Sequence, residues 1–90
     1  IDEVIISDAK SKILPHLLVF VESTTSVAPT FESNPVLHEV YGHALWSADK
    51  LIRYLLNTDA FDDVSVIDLW ENGNVQAIQN RVSGLKELSK

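Results

Sequence analysis

One segment restricts the folds open to this chain more than any other, the stretch 34–57. Its apolar residues recur at steps of three and four, a spacing typical of an amphipathic helix. Asn34 is a favourable N-cap, and Pro35 falls at the first helical position, where its missing N–H costs nothing. We therefore predict a helix of about six turns that ends near Asn57. Its apolar stripe comprises Leu37, Tyr41, Ala44, Ala48, Leu51 and Leu55, and is widened by Val40, Leu45, Ile52 and Leu56.

A charged pair is expected on the polar side of this helix. Asp49 and Arg53 are four residues apart, so their side chains are neighbours on the helix surface. We expect the pair to face solvent and to stabilise the helix by a few tenths of a kcal/mol.

Two shorter apolar runs flank the helix and are predicted to be strands. Residues 17–21 read LLVFV, a continuous apolar run that includes β-branched and aromatic residues and is too short for a typical helix. Such a run favours a strand over 13–22 that is covered on both faces. Residues 64–70, VSVIDLW, are predicted to be a second strand, and 23–33 and 58–63 a loop and a turn.

The predicted order is strand, long helix, strand, which indicates an α/β fold with a parallel first pair of strands. Residues 75–88 have helical spacing, but they follow Asn72-Gly73, a strong hairpin signal. A helix is favoured there, and a returning strand stays open. Residues 1–12 are compatible with a short strand or a helical turn. The chain is accordingly a small single domain over 1–90, or a fragment of a larger α/β domain.

Charge and composition limit the function classes. The net charge is −6, and no Lys or Arg stands between Arg53 and Arg81. An acidic surface repels phosphate, so nucleic-acid binding is not expected; a basic protein partner or a solvated acidic face fits better. No apolar run approaches the roughly 20 residues of a membrane span. The chain has no Cys, which favours an intracellular setting, and no Met, which suggests processing or a longer parent chain.

Acidic and hydroxyl side chains follow the first predicted strand. Glu22, Thr24 and Ser26 stand at alternate positions. Hard oxygens at the carboxyl end of a parallel strand can converge on Mg²⁺ or Ca²⁺, so these residues are a candidate metal site. The alternative is that Ser23 to Ser26 end the strand and hydrogen-bond their own backbone.

The same segment carries a family resemblance. VFVESTTSVAPTFES resembles the first strand and loop of von Willebrand factor A domains, in which the strand ends in Asp-x-Ser-x-Ser and a long helix follows. Glu22, Thr24, Pro29, Phe31 and Glu32 make it similar to the form found in the Mediator coactivator. The resemblance covers 13–72 and implies an α/β interaction domain without catalytic activity. Glu22 stands where the family has Asp.

The sequence HEVYGH at 38–43 is a second candidate site. It resembles the His-Glu-x-x-Gly-His pattern of dipeptidyl-peptidase III-like zinc peptidases. The resemblance implies that His38 and His43 bind zinc and that Glu39 activates water. Glu71 is the nearest downstream candidate for a third ligand. On an ideal helix the two histidines point about 140° apart, so the helix would need a local distortion. The alternative is an ordinary i, i+4 pair of Glu39 and His43.

A third resemblance covers LIRYLLNTDAFDDVSV at 51–66. It is similar to the end of a POTRA domain of outer-membrane assembly proteins. That resemblance implies an assembly role, with a β-hairpin that turns at Asn72-Gly73.

These observations favour a non-catalytic protein–protein interaction or assembly module. The expected partner is another protein chain, and self-association is open. The expected contact surface joins the sheet edge at Glu22, Thr24 and Ser26 to an acidic stretch formed by Asp59, Asp62 and Asp63. The alternatives are a zinc-dependent hydrolase fragment that uses HEVYGH and a POTRA-like domain. A divalent metal is the one candidate cofactor.

Overall fold

The computed structural model describes residues 2–90, and these form five α-helices and no β-strand. The helices are α1 (Asp2–Lys12), α2 (Leu14–Val27), α3 (Pro35–Leu55), α4 (Val66–Glu71) and α5 (Val75–Leu88). The expected α/β fold is therefore wrong. The von Willebrand factor A and POTRA resemblances both imply strands, so they conflict with this architecture.

The long helix α3 is confirmed, and its two ends are capped as the sequence indicates. The side-chain oxygen of Asn34 accepts a hydrogen bond from the N–H of Leu37 at 3.0 Å. At the other end Asn57 adopts a left-handed conformation (φ 52°). The N–H groups of Asn57 and Thr58 donate back to the carbonyl oxygens of Tyr54 and Arg53, both at 3.1 Å. This is a Schellman motif, which stops the helix within two residues of the predicted end.

The first predicted strand is instead the centre of α2. Leu14, Leu18 and Val21 are buried at spacings of four and three, while Val19 is exposed. The buried side chains of this segment therefore recur at helical spacing, although the run LLVFV itself is apolar throughout. Strand propensity is a weak preference that packing overrides, and here α3 and α5 cover one face of α2.

The hydroxyl-rich segment after this run extends the helix rather than ending it. Thr24 Oγ1 donates to the carbonyl oxygen of Phe20 at 2.7 Å, and Ser26 Oγ donates to that of Ser23 at 3.0 Å. Since these hydroxyls bond to the preceding helical turn, they do not compete for the helix N–H groups. The predicted loop consequently begins only after Val27.

The second predicted strand is also helical. Within 64–70, Val66 and Trp70 are buried and stand four residues apart, which puts them on one face of the short helix α4. Gly73 (φ 70°) then turns the chain into α5 instead of closing a hairpin. The helix favoured for 75–88 is confirmed, and the side chain of Asn74 caps it by accepting from the N–H of Ala77 at 3.3 Å.

Helix α3 packs against α1, α2 and α4, and α5 packs against α2 and α4. The core is formed by Leu14, Leu18, Val21, Leu45, Ala48, Ile52, Leu55, Val66, Trp70, Ile78, Val82 and Leu85. Within residues 2–90, none of the helices has the length and apolarity needed to cross a membrane.

A buried carboxylate joins α3 to α5. Asp49 is 1% exposed and Arg81 is 4% exposed. Arg81 Nε and Nη2 donate to the two oxygens of Asp49, both at 2.8 Å, a bidentate geometry. Arg81 Nη1 also donates to the carbonyl oxygen of Val64 at 2.7 Å, which ties down the segment before α4.

The predicted pair of Asp49 and Arg53 is present, but it does not lie in solvent. Arg53 Nε donates to Asp49 at 3.0 Å, and Arg53 Nη1 donates to Asp62 at 2.8 Å. Burial by itself lowers the pKa of Arg53, but its hydrogen bonds to Asp62 and Asp49 and their negative charges outweigh burial, so the pKa is raised. The pair was expected to face solvent because sequence spacing reveals only Arg53 as a partner of Asp49. The second partner, Arg81, is 32 residues away along the chain.

The ring of Phe61 packs beside the guanidinium group of Arg81 in this network. The backbone of Phe61 has φ 66°. The guanidinium carbon of Arg81 lies 5.4 Å from the centre of the Phe61 ring. A Cβ atom at Gly84 would lie 2.6 Å from Phe61 Cζ. Glycine at position 84 therefore allows the ring to rest on α5 beside the guanidinium.

The contribution of the buried network to stability can be tested by substitution of Asp49. Replacement of Asp49 by Asn keeps the shape of the side chain but leaves two arginines without their shared negative charge. We expect the free energy of unfolding, measured by urea denaturation, to fall by about 3 kcal/mol. The matched change Asp59→Asn, in the exposed turn, should alter it by less than about 0.5 kcal/mol. Equal effects of the two substitutions would contradict a structural role for the network.

Candidate functional site

Residues 38–43, HEVYGH, lie in the first half of α3, and four of them face α4 across an open cavity of about 320 Å³: His38, Glu39, Gly42 and His43. The structure thus brings His38, Glu39, His43 and Glu71 around one space. The complete lining is Phe31, His38, Glu39, Gly42, His43, Ile67, Trp70 and Glu71.

Aromatic stacking forms the floor of this cavity. The rings of His38 and Trp70 are stacked, with centroids 4.5 Å apart and an interplanar angle of 19°. Phe31 meets His38 edge-on at 6.0 Å. Trp70 Nε1 donates to the backbone carbonyl oxygen of His38 at 2.9 Å, so the indole is held by a hydrogen bond as well as by contact. Trp70 therefore packs in the core.

Gly42, the glycine of HEVYGH, permits this arrangement. A Cβ atom there would lie 2.6 Å from Trp70 Cδ1 and 2.9 Å from Trp70 Nε1. Only a residue without a side chain lets the indole lie this close to α3. The glycine thus has a packing role that is visible only once Trp70 is placed.

The polar residues of the cavity are not arranged as a metal-ligand set. Residues 38–43 belong to the uninterrupted helix α3, without the distortion that would turn His38 and His43 toward a common point. Glu39 and His43 form the i, i+4 pair given as the alternative, with 3.7 Å between Oε1 and Nε2. Within residues 2–90, no three His, Cys, Asp or Glu side chains are grouped so that they could hold a metal ion.

Glu22, Thr24 and Ser26 are separated because they lie on a helix and not at a strand end. Residues two apart on a helix point in nearly opposite directions. Thr24 is buried, whereas Glu22 is exposed and pairs with Lys86 of α5. Ser26 is exposed, and its hydroxyl is bonded within α2. The three oxygens do not converge as the strand prediction required.

The acidic stretch lies in the turn between α3 and α4. Asp59, Asp62 and Asp63 are all exposed, but Asp62 is hydrogen-bonded to Arg53 and so belongs to the network that fixes this turn. Asp59 and Asp63 remain as exposed carboxylates that could border a contact surface.

The most extensive exposed apolar surface on α3 faces away from the core. Val36 is 73% exposed and Tyr54 is 66% exposed, and Val40 and Leu51 lie between them in the same row. Exposed Ala44 and Ser47 complete the row. We call these six residues the outer face of α3: Val36, Val40, Ala44, Ser47, Leu51 and Tyr54.

Helix α1 borders the outer face of α3 near its C-terminal end. Ile5 is exposed, and together with Leu51 and Tyr54 it helps to line a shallow groove of about 300 Å³ between α1 and α3. The apolar surface therefore continues from one helix to the next.

Sequence reasoning placed part of this surface in the core. Ala44, Leu51 and Val40 were assigned to the buried stripe of the helix, but all three are exposed. The signal that could have separated them is the width of the stripe. It covers a sector of about 160°, which exceeds the roughly 100° that one covered face of a surface helix needs.

Comparison with known proteins gives no match to a family model, to a curated protein or to a solved structure.

The close contact at Gly42 can be tested. We expect Gly42→Ala to lower the free energy of unfolding by about 1–3 kcal/mol, because the methyl group overlaps the indole of Trp70. The indole N–H resonance of Trp70 should shift in the NMR spectrum. Gln79→Ala, an exposed change on α5, is the control. Unchanged stability and an unmoved Trp70 resonance would show that the indole does not need the glycine.

Proposed function

We propose that this chain is a non-catalytic protein–protein interaction module that binds its partner through the outer face of α3. The observation that carries the proposal is the row of exposed apolar side chains along one helix. Fully burying a Val, Leu or aromatic side chain contributes about 1.5–3 kcal/mol, so a row of four is a strong drive for association. Contiguous exposed apolar patches are typical of contact surfaces.

The shape of the row favours a helical partner. From Val36 to Tyr54 it extends about 27 Å along the axis of α3. Its residues recur at steps of three and four, so a second amphipathic helix can lie along it with side chains interleaved. Such an element buries the row without any change in the core behind it.

The proposed contact surface, the outer face of α3, differs from the one expected from sequence. The sheet edge at Glu22, Thr24 and Ser26 does not exist, since these residues are in α2. The exposed carboxylates Asp59 and Asp63 follow α3 in sequence, and we assign them no more than a peripheral role. We do not propose the hydrolase alternative, because the ring of His38 is stacked on Trp70 and Glu39 is paired with His43.

Photo-crosslinking tests the proposal in the cells to which the protein is native. The photoreactive residue p-benzoylphenylalanine would replace Val40 on the outer face of α3 or, as a matched control, Gln79 on the exposed side of α5. We expect a discrete adduct from position 40 and none from position 79. The adduct at position 40 should disappear when Leu51→Glu is added, because a buried charge opposes the contact.

The masses of the adducts, read by gel and mass spectrometry, identify the partner as the same chain or another protein. Equal labelling from both positions, or no adduct from position 40, would contradict a specific contact through the outer face of α3.

A further inference from the structure

We infer that the partner on the outer face of α3 is a second copy of this chain, packed antiparallel about a twofold axis. The inference rests on the proposed function and names the occupant of the same surface. It follows from the order of side chains along the row and from the charges beside it.

The row is nearly symmetric about its middle, between residues 45 and 46. Val36 and Tyr54 lie at almost equal distances from that point, and so do Val40 and Leu51. A twofold axis there places Val40 of one copy against the partner's Leu51, and Val36 against the partner's Tyr54. Large apolar groups thus meet at both ends of the contact.

The centre of the row suits two crossing helices. Ala44 and Ser47 flank the midpoint, and both are small and exposed. Small residues at a crossing allow two helix backbones to approach closely, so that the larger side chains on either side can reach the opposite helix. An arrangement centred elsewhere would put Val40 or Leu51 at the crossing.

Charges beside the row select the antiparallel direction. Glu39 and Lys50 lie on the same flank of α3, about 20° apart around an ideal helix. A twofold axis perpendicular to the two helices faces each flank with the same flank of the other copy. Glu39 then falls within about 3 Å, measured along the axis, of the partner's Lys50, and symmetry makes this contact twice. A parallel pair, with its twofold axis along the helices, would instead place this flank against the opposite flank of the partner, so Glu39 and Lys50 would not meet.

Both side chains are available for this contact. Glu39 is exposed, and its internal neighbour is His43 at 3.7 Å. Lys50 is exposed, and its Nζ lies 4.6 Å from the centre of the Trp46 ring on the same flank. The other charged residues of α3, Asp49 and Arg53, are held in the network on its inner side.

The opposite flank also gains a contact. Leu37 is partly exposed there and lies as far from the midpoint as Tyr54. The antiparallel partner brings its Leu37 to the groove lined by Ile5, Leu51 and Tyr54. Thus α1 would contribute to the interface, and the groove between α1 and α3 would be filled.

Sedimentation equilibrium of the purified 90-residue chain over a range of concentrations tests the inference. We expect the mass to rise from 10.0 kDa toward twice that value as concentration increases. Glu39→Lys and Lys50→Glu alone should each weaken dimerisation by at least about tenfold, since like charges then face each other. The double variant that exchanges the two charges should restore dimerisation to within about threefold of the original.

Two controls accompany these variants. Glu87→Lys changes an exposed charge on α5 and should leave the dimer unaffected. Far-UV circular dichroism of each variant separates loss of association from loss of the fold.

Each outcome decides one point. A dimer that the charge exchange restores supports the inference. A monomer at all concentrations, combined with a crosslink from position 40 to a different protein, overturns the second copy as partner and leaves the interaction module standing. A monomer without any crosslink overturns both. A dimer whose dissociation constant is unchanged by the substitutions at positions 39 and 50 overturns the antiparallel arrangement.

Discussion

The carboxylate of Asp49 is the interaction on which the arrangement of the helices depends. It accepts hydrogen bonds from Arg81 of α5 and from Arg53 of its own helix. Arg81 reaches on to the carbonyl oxygen of Val64, and Arg53 reaches on to Asp62. One buried charge therefore fixes the relative position of α3, α5 and the turn between α3 and α4. Removal of one partner from such a group costs far more than an exposed ion pair would contribute.

This anchoring of the inner side explains how α3 can present an apolar outer side. Leu45 and Ile52 are fully buried in the core, and Gly42 admits the indole of Trp70 against the same helix. The helix is thus anchored to the core through its inner side. The apolar residues of the outer face of α3 are not part of the core, and they form an exposed surface whose position is fixed by the helices behind it.

Sequence reasoning succeeded where local signals act and failed where distant residues decide. The cap at Asn34 and the spacing in 75–88 are local, and both helices were predicted. The run at 17–21 favours a strand by composition, but the contacts of α2 with α3 and α5 select the helix. At the candidate site, the neighbours His38, Glu39 and His43 were identified as a group. Their surroundings depend on Trp70, which is far along the chain.

The buried network also constrains how this sequence can diverge. Asp49 and Arg81 form a buried pair, and Arg53 bridges Asp49 to Asp62, so the loss of Asp49 or Arg81 leaves an unpaired charge in the interior. Replacement of every buried charged residue of the network by an apolar residue of similar size would be far better tolerated than replacement of only one of them. Routes between these two solutions pass through poorly folded intermediates if they proceed one substitution at a time. Related chains should therefore retain Asp49 and Arg81 together or exchange them together, which gives these two distant positions a shared evolutionary history.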